Sequence, residues 1–232
     1  MFMTPVVTPY VKMVRRAFAR CMTSHALKMS IPKLRKVMEE MVEYVDKERL
    51  NGPVDVEKLF TRATIDSIGQ IAFDWDMGGI KRTTKNLELL IACGRHMRQL
   101  ALKPWLKFKC KYFPFSADAK RINGDLHKLI NLWHEMAVSV RERTDNGDPD
   151  IVFWAALKEL KDPETNQLLV IEKLRGEIGS VVVAGTDTSS HMLGWTFALL
   201  SDHPQVVDKL IDELQSHGLF GNEARDVEFE DF

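Results

Sequence analysis

The residues with the clearest chemical potential form one small polar cluster inside an apolar stretch. Residues 184–190 read Ala-Gly-Thr-Asp-Thr-Ser-Ser, with apolar runs on both sides. Inside a helix, Gly costs about 1 kcal/mol relative to Ala, and Ser, Thr and Asp compete with the backbone for hydrogen bonds. A ligand that needs close access to the helix would offset those costs. Composition alone leaves a second interpretation open, in which the cluster is a loop.

If the helix continues through the cluster, five residues at three- and four-residue spacing share one face: Val181, Ala184, Gly185, Thr188 and Met192. Ala184 and Gly185 leave a shallow notch on that face. The Thr188 hydroxyl then reaches the carbonyl oxygen of Ala184 one turn earlier, which bends or opens the helix. With the Asp187 carboxylate beside it, this groove suits proton delivery to a small molecule such as dioxygen.

The elements that position this cluster are helical. Apolar residues recur at steps of three and four between charged ones, which is the pattern of helices that pack on a core. It predicts helices over 31–49, 55–73, 85–102, 117–143, 150–160 and 172–200, and a last helix that opens at His203-Pro204. Strand signals are weak throughout. We predict a mainly α chain of about eight helices with little or no sheet.

Several stretches, in this order and spacing, resemble one known family. Residues 184–189 resemble the Ala/Gly-Gly-x-Asp/Glu-Thr-Thr/Ser signature of the long central helix of cytochromes P450, the haem-thiolate monooxygenases. Residues 203–214 resemble the next helix of that family, which habitually starts with His-Pro. Upstream, residues 14–16 with 23–28, and residues 64–73, resemble earlier helices. The resemblance extends from about residue 10 to the C-terminus, so the fold it implies is a partial P450-like helical domain.

The resemblance implies a haem cofactor, an apolar small-molecule substrate and an electron-donating reductase. It implies that Asp187 and Thr188 help to protonate dioxygen, and that Ala184 and Gly185 let haem and dioxygen approach the helix. The overall character of the sequence is similar to fungal members of the family, many of which act in secondary-metabolite pathways.

By the same resemblance, Arg15 binds a haem propionate, for which a planar guanidinium is well suited. The family places an aromatic residue or His four positions before this arginine, and here that position is Val11. A solvated basic helix face is therefore an alternative interpretation of Arg15.

Two family motifs are missing from residues 1–232: the Phe-x-x-Gly-x-Arg-x-Cys-x-Gly loop with the thiolate ligand, and the Glu-x-x-Arg pair. Cys21, Cys93 and Cys110 lack the setting of that loop and are expected to be free thiols. We therefore expect one truncated domain over residues 1–232, without the family's N-terminal anchor, that does not bind haem stably and is inactive as given. No metal site is predicted. The alternative function is a non-catalytic helical remnant or an interaction module.

Charge and hydropathy limit the partners. The net charge of −1 gives no electrostatic argument for nucleic acid. The sequence has no run of about 18 apolar residues that would span a membrane. We expect an intracellular protein, although full-length relatives are usually anchored at the endoplasmic reticulum. Residues 99–115 interleave Lys with aromatic residues, which predicts either contact with an anionic membrane surface or a loop with its aromatic rings packed inward.

Overall fold

The computed structural model describes residues 7–81, 85–221 and 224–231, with the backbone alone at residues 85 and 86. Within these ranges the chain forms nine α-helices. In chain order they are α1 (Pro9–Arg20), α2 (Ser24–Glu48), α3 (Val56–Phe73), α4 (Lys85–Leu102), α5 (Pro104–Tyr112), α6 (Ala117–Glu142), α7 (Phe153–Glu159), α8 (Ile171–Asp202) and α9 (Pro204–Ser216).

Extended structure is minimal in the described part of the chain. One isolated antiparallel bridge joins Lys161 and Leu168, and a short 3₁₀-helix occupies Phe229–Asp231. The prediction of a mainly α chain with little or no sheet is confirmed. The helix predicted over 85–102 is observed over those residues as α4.

The second helix starts earlier than the sequence pattern indicates. It was predicted over 31–49 but begins at Ser24. The Thr23 hydroxyl accepts a hydrogen bond from the backbone N–H of Ala26 at 3.2 Å and so caps the helix start. Pro32 therefore lies inside the helix. The apolar periodicity marks the part of the helix that packs on the core, whereas the cap marks where it begins.

Two further differences arise from local chemistry. The helix predicted over 150–160 begins at Phe153, because the Asp148 carboxylate accepts a hydrogen bond from the N–H of Asp150 at 2.8 Å and holds a turn there. The helix α5 was not predicted. It begins at Pro104, whose ring presets a first-turn conformation and whose missing N–H is not needed at that position.

Helix α8 packs against α3 on one side and α6 on another. Its contact with α6 depends on a glycine, because a Cβ atom at Gly179 would lie 2.9 Å from the indole ring of Trp133. The largest fully buried side chains belong to the core around this contact and include Trp154, Phe73, Ile65, Leu157, Leu174 and Ile178. The first half of α8 is thus buried on both flanks.

A polar network fixes the end of α3. Asp74 follows the helix in the left-handed conformation, with φ of 47°. Its carboxylate accepts a hydrogen bond from Trp154 Nε1 at 2.9 Å and forms an ion pair with Lys33. The guanidinium of Arg143 lies 4.1 Å from the Trp154 ring centroid and donates a hydrogen bond to the carbonyl oxygen of Phe73 at 2.7 Å. Helices α2, α3, α6 and α7 meet at this network.

Candidate functional site

The polar cluster at 184–190 lies within one unbroken helix. α8 runs from Ile171 to Asp202, and every residue of the cluster is helical. The loop interpretation is therefore wrong. The helix tolerates the cluster because α3 packs against the same segment and buries one of its flanks. Residues of the cluster on the opposite flank, Asp187 and Thr188, are exposed.

The hydroxyl of Thr188 bonds back along the helix. Thr188 Oγ1 donates to the carbonyl oxygen of Ala184 at 2.7 Å, so the predicted contact between these residues is confirmed. In this bond the Thr188 hydroxyl proton points to the Ala184 carbonyl oxygen. The hydroxyl oxygen can still accept a hydrogen bond from the open side of the helix.

A histidine that sequence reasoning did not single out joins this face. His191 Nδ1 lies 2.6 Å from the carbonyl oxygen of Asp187 and 3.6 Å from its carboxylate oxygen Oδ1. Since a carbonyl oxygen only accepts, this geometry requires the proton on Nδ1. The signal was present in the sequence, because the two residues are four apart and so adjoin on a helix surface. Asp187, Thr188 and His191 thus form one exposed polar group.

Gly185 lies on another side of α8. A Cβ atom at this position would lie 3.0 Å from the Ile68 side chain of α3, so the missing side chain permits close helix packing. Nearby, Thr64 Oγ1 donates to the carbonyl oxygen of Thr186 at 3.3 Å. The role of Gly185 in admitting a ligand stays a prediction, and the observed contact assigns it a packing role.

Arg15 lies on the exposed side of α1, and Val11 is buried in the core with 3% exposure. Helix α1 is tied to α8 by Tyr10, whose hydroxyl donates to Glu177 Oε1 at 2.9 Å. The Glu177 side chain is buried. This hydrogen bond sets the two helices that carry Arg15 and the polar face against each other. The binding of a propionate by Arg15 stays a prediction.

Ala184 is half-buried next to the exposed Asp187 and Thr188, and its methyl group is the smallest side chain on this side of the helix. The three cysteines lie on elements other than α8: Cys21 follows α1, and Cys93 lies on α4. Burial raises the pKa of both Cys21 and Cys93 to about 11, so both stay protonated near neutral pH. Cys110 lies on α5. Within the described ranges, no group of three or more His, Cys, Asp or Glu side chains is placed to hold a metal ion.

Two grooves among the described residues are lined by elements other than α8. One of about 760 Å³ runs between α4 and α6, lined by Asp125, Lys128 and their neighbours. Another of about 580 Å³ lies at the end of α6, beside His134 and Glu142. The α8 face itself is open to solvent, since Asp187, Thr188 and Met192 are exposed.

The aromatic side chains around α5 point to solvent. Trp105 is 70% exposed and Phe115 is 85% exposed. Phe108 lies between its neighbours, with ring centroids 5.5 Å from Trp105 and 4.6 Å from Tyr112. The alternative in which these rings pack inward is therefore wrong. Among the helices of the described residues, none is long and apolar enough to cross a membrane.

These features coincide with one family. The profile of the cytochrome P450 family matches residues 5–231, and the chain belongs to that family. Among curated proteins, it is 26% identical over 216 residues to protein LUTEIN DEFICIENT 5 of Arabidopsis thaliana, a match that covers 87% of this chain and 35% of the relative. It is 25% identical over 243 residues to cytochrome P450 52A12 of Debaryomyces hansenii, covering 94% of this chain and 42% of the relative.

Solved structures agree on the fold. The chain superposes on a cytochrome P450 (CYP102L1) with a TM-score of 0.76 at 16% identity, covering 99% of this chain and 51% of that structure. On the heme domain of cytochrome P450DA the TM-score is 0.70 at 22% identity, covering 91% of this chain and 43% of that structure. The chain therefore spans between about a third and about half of the length of these four proteins.

Proposed function

We propose that residues 1–232 form one P450-type helical domain, which supplies the oxygen-facing helix of a haem-dependent monooxygenase. The observation that supports this most directly is the unbroken helix α8, with the bond from Thr188 to Ala184 and an exposed carboxylate beside it. Family membership supplies the reaction class, since P450 proteins are haem-thiolate monooxygenases.

In this proposal the chain's own residues handle protons. Asp187 is 69% exposed at its side chain and exchanges protons with solvent. The Thr188 oxygen lies one residue further along and can accept a hydrogen bond from a water or ligand on the open side, which holds that proton donor at the face. Ala184 keeps that face flat, and Arg15 pairs with a propionate. Haem, when bound, supplies the iron at which dioxygen is activated.

We propose an apolar small molecule as substrate and a reductase as the source of electrons. The reductase is supported by a relative from Bacillus subtilis, the bifunctional cytochrome P450/NADPH–P450 reductase 1, which is 26% identical over 189 residues. A role in fungal secondary metabolism is supported by a shorter match, 40% identical over 63 residues, to cytochrome P450 monooxygenase atnE of Emericella nidulans. We propose an intracellular location, and full-length eukaryotic relatives are usually anchored at the endoplasmic reticulum.

We further propose that residues 1–232 do not catalyse monooxygenation by themselves. Their three cysteines lack the thiolate-loop setting, and desolvation raises the pKa of the half-buried Cys21 and the buried Cys93 to about 11. Without a thiolate ligand, the electron donation that favours O–O cleavage is missing. The alternative function, a non-catalytic helical remnant or an interaction module, is favoured by the exposed apolar side chains on the second half of α8, among them Met192 and Trp195.

The test is to mix the purified chain with haem, reduce it, add carbon monoxide and record the absorption spectrum. We expect no thiolate-type Soret band. A thiolate-type band from this chain would contradict the proposed inactivity. Reading the coding sequence past Phe232 separates the two functions: an in-frame Glu-x-x-Arg pair followed by the cysteine loop supports the monooxygenase, and a stop codon supports the remnant.

We also propose that residues 99–115 rest on an anionic membrane surface. The aromatic side chains of α5 are exposed, and lysines alternate with them. Aromatic rings favour the interface between water and lipid, and lysines favour anionic headgroups.

A further inference from the structure

The sequence contains three Asn-Gly pairs, and the fold places them in three different backbone settings. Asn146 lies in the α6–α7 connection, residues 143–152, at a position outside any helix or strand. Asn51 lies in the turn after α2, and Asn123 lies inside α6. All three asparagines are exposed, so water reaches each of them.

An asparagine that precedes a glycine can react with its own backbone. The glycine nitrogen attacks the side-chain amide carbon Cγ and forms a bond to it, and the amide group leaves as ammonia, which takes up the proton of the glycine N–H. Water then opens the resulting five-membered imide at one of its two carbonyl carbons, which gives aspartate or isoaspartate. Water is the only other reactant. Glycine favours the ring closure because it has no side chain to obstruct the attacking nitrogen.

The backbone nitrogen of Gly147 is available for this attack. Its N–H donates no hydrogen bond to another described residue, whereas the N–H groups of Ile151 and Val152, further along the connection, donate to the carbonyl oxygen of Asp148 at 3.0 Å and 2.9 Å. A nitrogen without such a bond can turn toward the neighbouring side chain without breaking native structure. The fold therefore leaves the reacting atoms of this pair unrestrained.

The other two pairs serve as matched comparisons. Asn123 stands in the same tripeptide as Asn146, Asn-Gly-Asp, but helix geometry directs the N–H of Gly124 to a carbonyl oxygen four residues earlier. Attack there requires local opening of a helix that packs on α4 and α8. Asn51 is as open as Asn146, but a Cβ atom at Gly52 would meet no atom within 4 Å, so a changed backbone there disturbs no packing.

A change at Asn146 reaches the core through Gly147. A Cβ atom at Gly147 would lie 2.9 Å from Cη2 of the Trp154 ring, so the backbone of the connection packs directly on that indole. Isoaspartate routes the main chain through its own Cβ, which adds one carbon–carbon bond of about 1.5 Å. The connection is fixed on both sides, at Arg143 by its stacking on the Trp154 ring and at Val152 by the start of α7. The longer backbone therefore displaces Gly147 from the indole.

We propose that Asn146 is a site of spontaneous modification, in which its amide is converted through a cyclic imide to aspartate and isoaspartate, and that the isoaspartate form releases the α6–α7 connection from Trp154. The aspartate form keeps the main-chain length and leaves the contact in place. Trp154 donates to the Asp74 carboxylate, so the release weakens the network at the end of α3. The modification is independent of haem and of the proposed monooxygenase function.

The first measurement follows the reaction in the full chain. The chain is incubated at mildly alkaline pH in water enriched in heavy oxygen, and peptide mass spectrometry measures the oxygen incorporated at each asparagine. We expect Asn146 to react at least about tenfold faster than Asn123, because opening a packed helix costs more than the ~1.4 kcal/mol that corresponds to tenfold. In urea the two sites should react at similar rates. Equal rates in the folded chain overturn the proposal, and so does a difference that persists in urea, since it would not come from the fold.

The second measurement tests the release of the connection. Exchange of the Trp154 indole N–H with solvent is followed by nuclear magnetic resonance in the isoaspartate form, separated from incubated protein. We expect exchange about tenfold faster than in Asn146→Asp, which carries the same charge on a main chain of ordinary length. Incubated Asn146→Gln, whose longer side chain closes its ring more slowly while Asn51 still reacts, should keep the exchange rate of fresh protein. Equal exchange in the isoaspartate form and in Asn146→Asp overturns the release.

Discussion

Two threonines of α8 have hydroxyl groups in different surroundings, and the surroundings determine whether each hydroxyl stabilises or destabilises the fold. Thr188 is exposed and bonds to the carbonyl oxygen of Ala184, so its oxygen faces the open side of the helix. The side-chain oxygen of Thr186 is buried and has no hydrogen-bond partner among the described residues. A buried hydroxyl without a partner loses its hydration with no compensation.

Replacing Thr186 with Val removes that uncompensated oxygen and keeps the shape of the side chain. We expect the free energy of unfolding to rise by about 1 kcal/mol. Urea unfolding followed by circular dichroism measures it. The control is Thr196→Val, where the exposed hydroxyl bonds to Met192, and we expect a change within about 0.5 kcal/mol. A loss of stability in Thr186→Val comparable to that of a lost hydrogen bond would show that the hydroxyl has a partner.

At the residue scale, the sequence predicts those contacts that depend only on the spacing of residues along one helix. The bond between Thr188 and Ala184 follows from a four-residue step on any helix, so it could be predicted once the segment was taken as helical. The side of α8 on which Gly185 lies depends on where α3 packs, and no local pattern contains that information. His191 was missed although its four-residue distance from Asp187 was visible in the sequence.

At the scale of elements, the residues that α8 tolerates depend on whether α3 or α6 packs against them. Two of its glycines have opposite surroundings: a Cβ at Gly179 would meet the Trp133 ring at 2.9 Å, while a Cβ at Gly194 would have no neighbour within 4 Å. The same substitution therefore probes packing at one position and helix propensity at the other.

We expect Gly179→Ala to lower the free energy of unfolding by about 1–3 kcal/mol, because the indole must move out of a packed core. We expect Gly194→Ala to raise it by about 0.5–1 kcal/mol, because Ala favours the helix and meets no obstacle. Chemical denaturation of both variants gives the comparison. Equal changes of the same sign would mean that α8 does not pack on α6 through this glycine.

The membrane proposal is tested on α5 with a matched pair of tryptophans. Trp105 on α5 and Trp195 on α8 are each 70% exposed, so both substitutions remove the same exposed ring. We expect Trp105→Ser to reduce co-sedimentation with phosphatidylserine vesicles several-fold, because its ring enters the interface. Trp195→Ser should leave co-sedimentation unchanged. Similar losses in both variants would indicate non-specific hydrophobic adsorption, and no loss in either would contradict the proposal.

Helix existence was more predictable than helix ends. The periodic segments of α3, α4, α6 and α8 all became helices within a few residues of their predicted bounds. The start of α2 depends on the Thr23 cap, which lies outside the apolar pattern. Helix α5 carries aromatic residues that do not enter the core, so the periodicity that reveals buried helices could not reveal it.

At the scale of the whole molecule, the network at the end of α3 joins four helices. The Asp74 carboxylate connects α3 to α2 and α7, and Arg143 adds α6. Burial of Asp74 acts to raise the pKa of its carboxyl, but the hydrogen bonds from Lys33 and Trp154 outweigh burial, and the pKa lies below its ordinary value of 3.8. A lowered folded pKa contributes stability that is fully present above the unfolded value and is lost as pH falls through the folded value.

We expect Asp74→Asn to lower the free energy of unfolding by about 2 kcal/mol near neutral pH. The substitution removes the negative charge that strengthens the hydrogen bonds from both Lys33 and Trp154. The difference from wild type should shrink as pH falls below 3.8. Denaturation curves across that range measure it. Asp46→Asn, on an exposed ion pair with Arg49, is the control and should change stability by less than about 0.5 kcal/mol at every pH. A difference that persists unchanged into acid would contradict the network.

We propose that the exposed side of α8 lies against a porphyrin, and that residues 1–232 do not supply the iron ligand. The most direct measurement is a titration of the isotope-labelled chain with ferric protoporphyrin IX, followed by nuclear magnetic resonance, because the paramagnetic iron broadens nearby signals even when binding is weak. We predict broadening centred on Ala184, Asp187, Thr188 and His191. Broadening centred instead on Cys21, Cys93 or Cys110, with the α8 signals unaffected, would contradict the claim.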